Sequence, residues 1–246
     1  MTQATYAKSV NQIWLDILVH LEYNLRVTDF IRQTTGAKYM IDEIKNSIKT
    51  GKPVFIKSCL DYNFDWEDAI KTLSISYNFL LSDEHRDSYK NSSMLFNDKE
   101  KKFTSLMQAA KHGLTFHCTD LLERNNGLDP IKYNQVFAIH QELSNISDDF
   151  HTHLKLAVNM TENTPQLDPH RDPHHVLLTQ VLGNARYVIH ESDENDPYGS
   201  PIDVTGREHK EYLMEKNDIL FMPKGTIHSI DNSSIRAAFI FDMISY

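Results

Sequence analysis

Pro169-His170-Arg171-Asp172-Pro173-His174-His175-Val176-Leu177-Leu178-Thr179-Gln180-Val181-Leu182-Gly183-Asn184-Ala185-Arg186-Tyr187 is the stretch on which the fold of this chain turns. Side chains alternate along an extended backbone, so His170 and Asp172 project to one side and Arg171 to the other. Residues 176–181 read as a buried strand. Gly183-Asn184 is a turn signal, and residues 186–190 run back as a partner strand. A second stretch, Asn217-Asp218-Ile219-Leu220-Phe221-Met222-Pro223-Lys224-Gly225-Thr226-Ile227-His228, carries a strand into a proline–glycine turn. Such a turn ends a barrel strand at its rim and aims the residues after it into the mouth. Two imidazoles and one carboxylate hold a non-haem Fe(II) on one face and leave the other open for co-substrate and oxygen. Only a folded sheet can return His228 to His170 and Asp172.

Two registers compete for the first half of this set. His174 rivals His170, but Pro173 and the absence of a carboxylate at position 176 favour His170 with Asp172. A histidine-rich surface turn is the bland reading of the same residues, and the rim turn before His228 weighs against it. His151, His153 and His190 read as structural or surface histidines. Asp172 offsets part of the metal charge, and its presence points to hydroxylation rather than halogenation, where a halide needs the carboxylate's place. Arg236 falls on the next expected strand and shares a face with Ala238 and Ile240. An arginine inside a barrel is costly unless an anion meets it, and a dicarboxylate gripped by the guanidinium fork fits that need. The other reading turns Arg236 to solvent, and parity alone does not choose.

The 246 residues are enough for one good core, with 40% hydrophobic and 24% charged residues, an ordinary balance for a globular chain. A formal charge of −9 argues against nucleic acid, which needs a basic face. The one dense basic run, at 99–102, reads as a solvated helix face. Cys59 and Cys118 are too few for a disulfide framework and read as small core residues in a reducing compartment. The apolar stretch Ile13-Trp14-Leu15-Asp16-Ile17-Leu18-Val19-His20 is broken by an acid and lacks the features of a leader. No run is long enough to span a bilayer. A cytoplasmic location is expected.

Val10, Ile13, Trp14, Ile17, Leu18, Leu21 and Leu25 recur at helical spacing. A second helix is expected over 38–49, stopping at Gly51. A short strand follows at 52–57, then a helix opening at Asp65-Trp66 with acids in its first turn. Residues 74–128 give no clear period. Asp129-Pro130 looks like a cap and first position of a helix running to about Ile146. Beyond His151 the pattern is β: alternation over 154–160, then strands at 176–181, 186–190, 219–222 and 235–243. Residues 191–211 are polar, with Pro197, Gly199, Pro201 and Gly206, and read either as a lid over the mouth or as a disordered loop. Helices first and strands later make an α+β protein with a C-terminal barrel.

With these residues in place, the chain resembles the Jumonji-C-like, cupin-fold 2-oxoglutarate oxygenases. Residues 169–187 are similar to the family's iron-ligand strand and its Gln-x-x-Gly turn, and 217–228 to the strand that delivers the distal histidine. Gly51-Lys52-Pro53-Val54-Phe55-Ile56-Lys57 and the Asp65-Trp66 helix resemble the start of the family's barrel. The resemblance implies a double-stranded β-helix, the cupin or jelly-roll barrel, behind a helical N-terminal region. It implies Fe(II) on His170, Asp172 and His228, with 2-oxoglutarate and O2 as co-substrates. Many relatives place a lysine or arginine two residues after the turn glycine, where this chain has Ala185. Arg236 matches the place used by other 2-oxoglutarate oxygenases and is favoured as the anchor, with Arg186 in reserve.

One domain over 1–246 is expected, with 1–150 as helical support and 151–246 as the iron-binding barrel. The expected activity is hydroxylation of an unactivated carbon in an amino-acid, peptide, protein or natural-product substrate. Two alternatives stay open: an iron cupin working without 2-oxoglutarate, and a non-catalytic binding module. Partners in the membrane or on nucleic acid are not expected.

Overall fold

Three helices precede or flank eleven strands in the computed structural model, which describes residues 35–61, 63–75, 78–80, 115–118, 121, 133–147, 149–162, 167–198, 201–231 and 234–245. The apolar stripe at 10–25, the basic run at 99–102 and the Asp129-Pro130 helix start lie outside them. Helix α1 (Thr35–Thr50) buries Met40, Ile41 and Ile44 along one stripe, and the Gly51 N–H closes its last turn on Ser47 O at 2.9 Å. Helix α2 (Trp66–Ile75) opens on a reciprocal cap. Asp65 Oδ1 accepts the Asp68 N–H at 3.0 Å, and Asp68 Oδ2 accepts the Asp65 N–H at 3.1 Å. Helix α3 (Asn134–Ser144) buries Val136, Ala138, Ile139 and Leu143.

The strands are β1 (Val54–Ile56), β2 (Asn78–Leu80), β3 (Thr115–Cys118), β4 (Phe150–Asn159), β5 (Leu167–Arg171) and β6 (His175–Leu182). They continue as β7 (Ala185–His190), β8 (His209–Met214), β9 (Ile219–Met222), β10 (Ile227–Asp231) and β11 (Arg236–Ser245). Seven form one sheet in the order β1-β9-β6-β11-β4-β3-β2, and four form a second in the order β5-β10-β7-β8. Every strand pairing is antiparallel.

Two apolar layers follow from strand parity. Leu154, Leu156 and Val158 of β4 and Ala237, Phe239, Phe241 and Met243 of β11 pack with the helices on the outer face of the larger sheet. The second layer joins the sheets. Val176, Leu178, Leu220 and Met222 from the larger sheet meet Ala185, Tyr187 and Met214 from the smaller. The alternate residues of β11, Arg236, Ala238, Ile240 and Asp242, therefore belong to the face turned toward the smaller sheet. Among the described residues, no helix is long and apolar enough to cross a membrane.

Gly183 shows how tightly the β6–β7 turn is seated. Its φ is +65°, and a Cβ there would lie 2.1 Å from Ile235 O and 3.1 Å from Arg236 Cα. Neither contact can be relieved by rotating a side chain. Gly183→Ala is expected to cost about 1–3 kcal/mol from overpacking alone, with the backbone strain added. Thermal unfolding checks this, at roughly 2–4 °C per kcal/mol for a chain of this size.

Candidate metal centre

Strands β5 and β10 run antiparallel with His170 directly opposite His228. Asp172 follows immediately after the end of β5 and by parity shares the face of His170. The ligand atoms of the three residues all lie within 4.8 Å of one another. His170 Nε2 is 4.0 Å from Asp172 Oδ1, and His228 Nε2 is 3.7 Å from Asp172 Oδ2.

Both rings are oriented by the backbone. His170 Nδ1 lies 2.8 Å from Asp168 O, and His228 Nδ1 lies 3.1 Å from Thr226 O. A carbonyl only accepts, so in the neutral rings each Nδ1 carries the proton and each Nε2 keeps its lone pair. Those two lone pairs flank one carboxylate, the donor set that holds a divalent ion. Burial pushes the His228 imidazole down to about 4, helped by neighbouring His170 and opposed by Asp172. The neutral form is the one that ligates, so this site needs no deprotonation of His228 near neutral pH.

The turn before His228 is built for this placement. Thr226 N–H donates to Pro223 O at 3.1 Å, with Gly225 at the third position and a φ of +82°. That is the glycine position of a type II turn. Gly225 N–H then donates to Asp172 O at 3.0 Å, so the turn holds both ligand segments together.

Arg171 points away from the ligands and secures the loop expected as a lid or a disordered stretch. Its guanidinium lies 4.6 Å from the Tyr198 ring centroid and donates to Asp196 O. Asp196 in turn takes two bonds from Arg207, at 2.6 and 2.7 Å, and Arg207 holds its carboxyl down to about 2. Ile202 N–H donates to Pro169 O at 2.8 Å, laying the loop along β5. The last three residues of the expected loop belong to β8. Arg171→Met is expected to speed proteolysis between 191 and 208, because the loop loses charge-assisted bonds and a cation–π contact. Mapping the cuts by mass spectrometry, with cleavage no faster than in wild type, would show that Arg171 does not hold it.

The structure does not bring His174 into the ligand set. Its Nε2 lies 3.3 Å from Asp242 Oδ1 on the larger sheet. Arg236 is placed inside, 3% exposed, with Nη1 donating to Tyr187 Oη at 3.4 Å. Arg186 sits on the outer face of the smaller sheet, where Asp231 accepts from it at 2.8 Å and Glu211 lies 3.6 Å away. Sequence reading passed over Tyr187, which is 1% exposed. The signal was available: parity from Ala185 puts Tyr187 on the inner face and Arg186 outside. Tyr187 pairs with Ile230, one inner-face step from the row in which Ile189 pairs with His228. That step is about 6.6 Å of strand.

Residues 131–243 match the family model of the JmjC domain. A crystal structure of ycfD from Escherichia coli aligns at 13% identity and a TM-score of 0.51, covering 79% of this chain and 50% of that one. The Escherichia coli ribosomal oxygenase YcfD in complex with cobalt and 2-oxoglutarate aligns at 14% identity and a TM-score of 0.47, over 79% and 48%. Among curated proteins, none matches in sequence. The chain spans about half the length of these structures. At this identity the first likeness shows the fold, a double-stranded β-helix with helices on one face.

Proposed function

We propose that this chain, whose residues 131–243 match the family model of the JmjC domain, is an iron(II)- and 2-oxoglutarate-dependent oxygenase. It hydroxylates an unactivated carbon of a small-molecule, peptide or protein substrate. The observation that carries this reading is the pairing of two features in one barrel. A cluster of two imidazoles and one carboxylate lies on the smaller sheet, and one inner-face step along that sheet Tyr187 accepts a bond from the buried Arg236 guanidinium. The three-ligand cluster alone fits many metals and many reactions.

The donor set suits iron(II), which takes imidazole and carboxylate ligands in this two-to-one ratio and keeps further positions open. His170, Asp172 and His228 would hold it, and the Asp168 and Thr226 carbonyls keep both histidines in the ligating tautomer. With 2-oxoglutarate and dioxygen, iron(II) supplies oxidising power: the co-substrate becomes succinate and carbon dioxide, taking one oxygen atom, and the substrate takes the other. Arg236 and Tyr187 would bind the distal carboxylate, the guanidinium as a two-pronged donor and the phenol as a third. Val176, Leu178, Leu220 and Met222 form the apolar wall that keeps water from the interior. Ala185, where many relatives carry a cation, is inward-facing and uncharged, and Arg236 supplies the positive charge from the neighbouring sheet.

The net charge of −9 favours substrates other than nucleic acid. The test of the activity is succinate formation by the purified chain supplied with iron(II), 2-oxoglutarate and oxygen. Slow formation without any other substrate is expected in the wild type and not in Asp172→Ala. Equal rates in the two proteins would refute the reading.

A further inference from the structure

We propose that Asp242 is the residue that positions Asp172 for metal binding, acting through His174; this rests on the metal reading above. Asp172 is the ligand with the least support of its own. His170 and His228 lie within paired strands, whereas Asp172 follows the last residue of β5. Its side chain is 29% exposed, and among the described residues its carboxylate faces only the two histidines. Its place must therefore come from the backbone on either side.

The Gly225 N–H holds the Asp172 carbonyl from the turn before His228. The second hold comes two residues later, where His174 Nε2 lies 3.3 Å from Asp242 Oδ1. Two residues span at most about 7 Å, and Pro173 between them fixes one backbone torsion, so a displacement of His174 carries to Asp172. Asp242 is a firm anchor. It is 4% exposed, and β11 is paired on both sides there, to His153 of β4 and Val176 of β6. Lys155 takes the other carboxylate oxygen in an ion pair. Burial pushes the Asp242 carboxyl up, but the bonds from His174 and Lys155 outweigh it and hold the group ionised. A buried ion pair is weak evidence for stability, and fixing a geometry accounts better for one placed here. β11 thereby serves the site twice, with Arg236 at its start and Asp242 near its end.

Co(II) affinity of the full chain, measured by calorimetry alongside the cobalt visible spectrum and the metal-free melting temperature, tests this. Asp242→Asn and His174→Ala should each weaken Co(II) binding about tenfold and alter the cobalt spectrum, the range seen when a residue supporting a ligand is lost. The double variant should lose no more than either single one, because both act through one contact. Lys155→Met, which loosens the anchor but leaves the His174–Asp242 contact, should weaken Co(II) binding less than Asp242→Asn or His174→Ala does. Wild-type affinity and spectrum in His174→Ala and Asp242→Asn, with only a lowered melting temperature, would overturn the proposal and make the contact purely structural. If Asp242→Asn does not fold, His174→Ala decides alone. A wild-type chain that takes up no Co(II) overturns the metal reading and this proposal together.

Discussion

Asp172→Ala and His228→Ala lose Fe(II) and Co(II) binding by well over a hundredfold, and with it all succinate formation. Residues that merely support a ligand already cost about 10–100-fold, so removing a ligand from a set of three exceeds that range. The two variants fail for different reasons. Without Asp172, the metal's positive charge loses its anionic partner and two neutral imidazoles remain. Without His228, a site whose most enclosed ligand is only 4% exposed keeps a carboxylate and one ring. His174→Ala, by contrast, retains most binding at saturating metal, because its ring serves Asp242 and is no ligand. Metal uptake followed by calorimetry or by cobalt absorption separates these outcomes. A lethal His174→Ala beside a mild His170→Ala would mean that the ligand register is wrong.

Arg236→Met raises the apparent 2-oxoglutarate constant by about two orders of magnitude. Truncating one member of a buried charge pair costs about 2–5 kcal/mol, and two orders correspond to about 2.7 kcal/mol. The methionine keeps the bulk, so the barrel stays filled while the charge goes. Tyr187→Phe should cost less, about tenfold, since it removes one hydrogen bond to a charged carboxylate, worth about 1.5 kcal/mol at the low end of its range. The metal constant should hold in both. Unchanged co-substrate affinity in Arg236→Met would remove Arg236 from the site. Arg186 would then have to leave its acidic partners on the outer face to replace it, and Arg186→Met would show whether it does.

Much of this site was legible because it rests on strand parity. His170 with Asp172, Ala185 against Arg186, and Arg236 with Ala238 and Ile240 all follow from a period of two. The face chosen by Arg236 was not legible. β11 is buried on both faces, the helices covering one and the smaller sheet the other, so its polar residues Arg236 and Asp242 mark an inner face and not a solvent face. Strands β8 and β10 escaped for the opposite reason. His209-Lys210-Glu211 opens β8 with exposed polar residues, and Ser229 and Asp231 interrupt β10, so neither shows an apolar run. The partners of the loop after β7 left no trace in the sequence. Arg207 with Asp196, and Arg171 with Tyr198, join residues far apart in the chain, and ion pairs have no period. The helix stop at Gly51 and the acid-led start at Asp65 were legible because caps are local.

The most direct test of the central claim is an oxygen-free titration of the iron(II)-loaded chain with 2-oxoglutarate, followed in the visible spectrum. A weak charge-transfer band should grow to saturation at one equivalent in the wild type. It should need a far higher co-substrate concentration in Arg236→Met and be missing in Asp172→Ala. Iron bound at one equivalent, with no band at any 2-oxoglutarate concentration, would contradict the account and leave an iron cupin that works without this co-substrate.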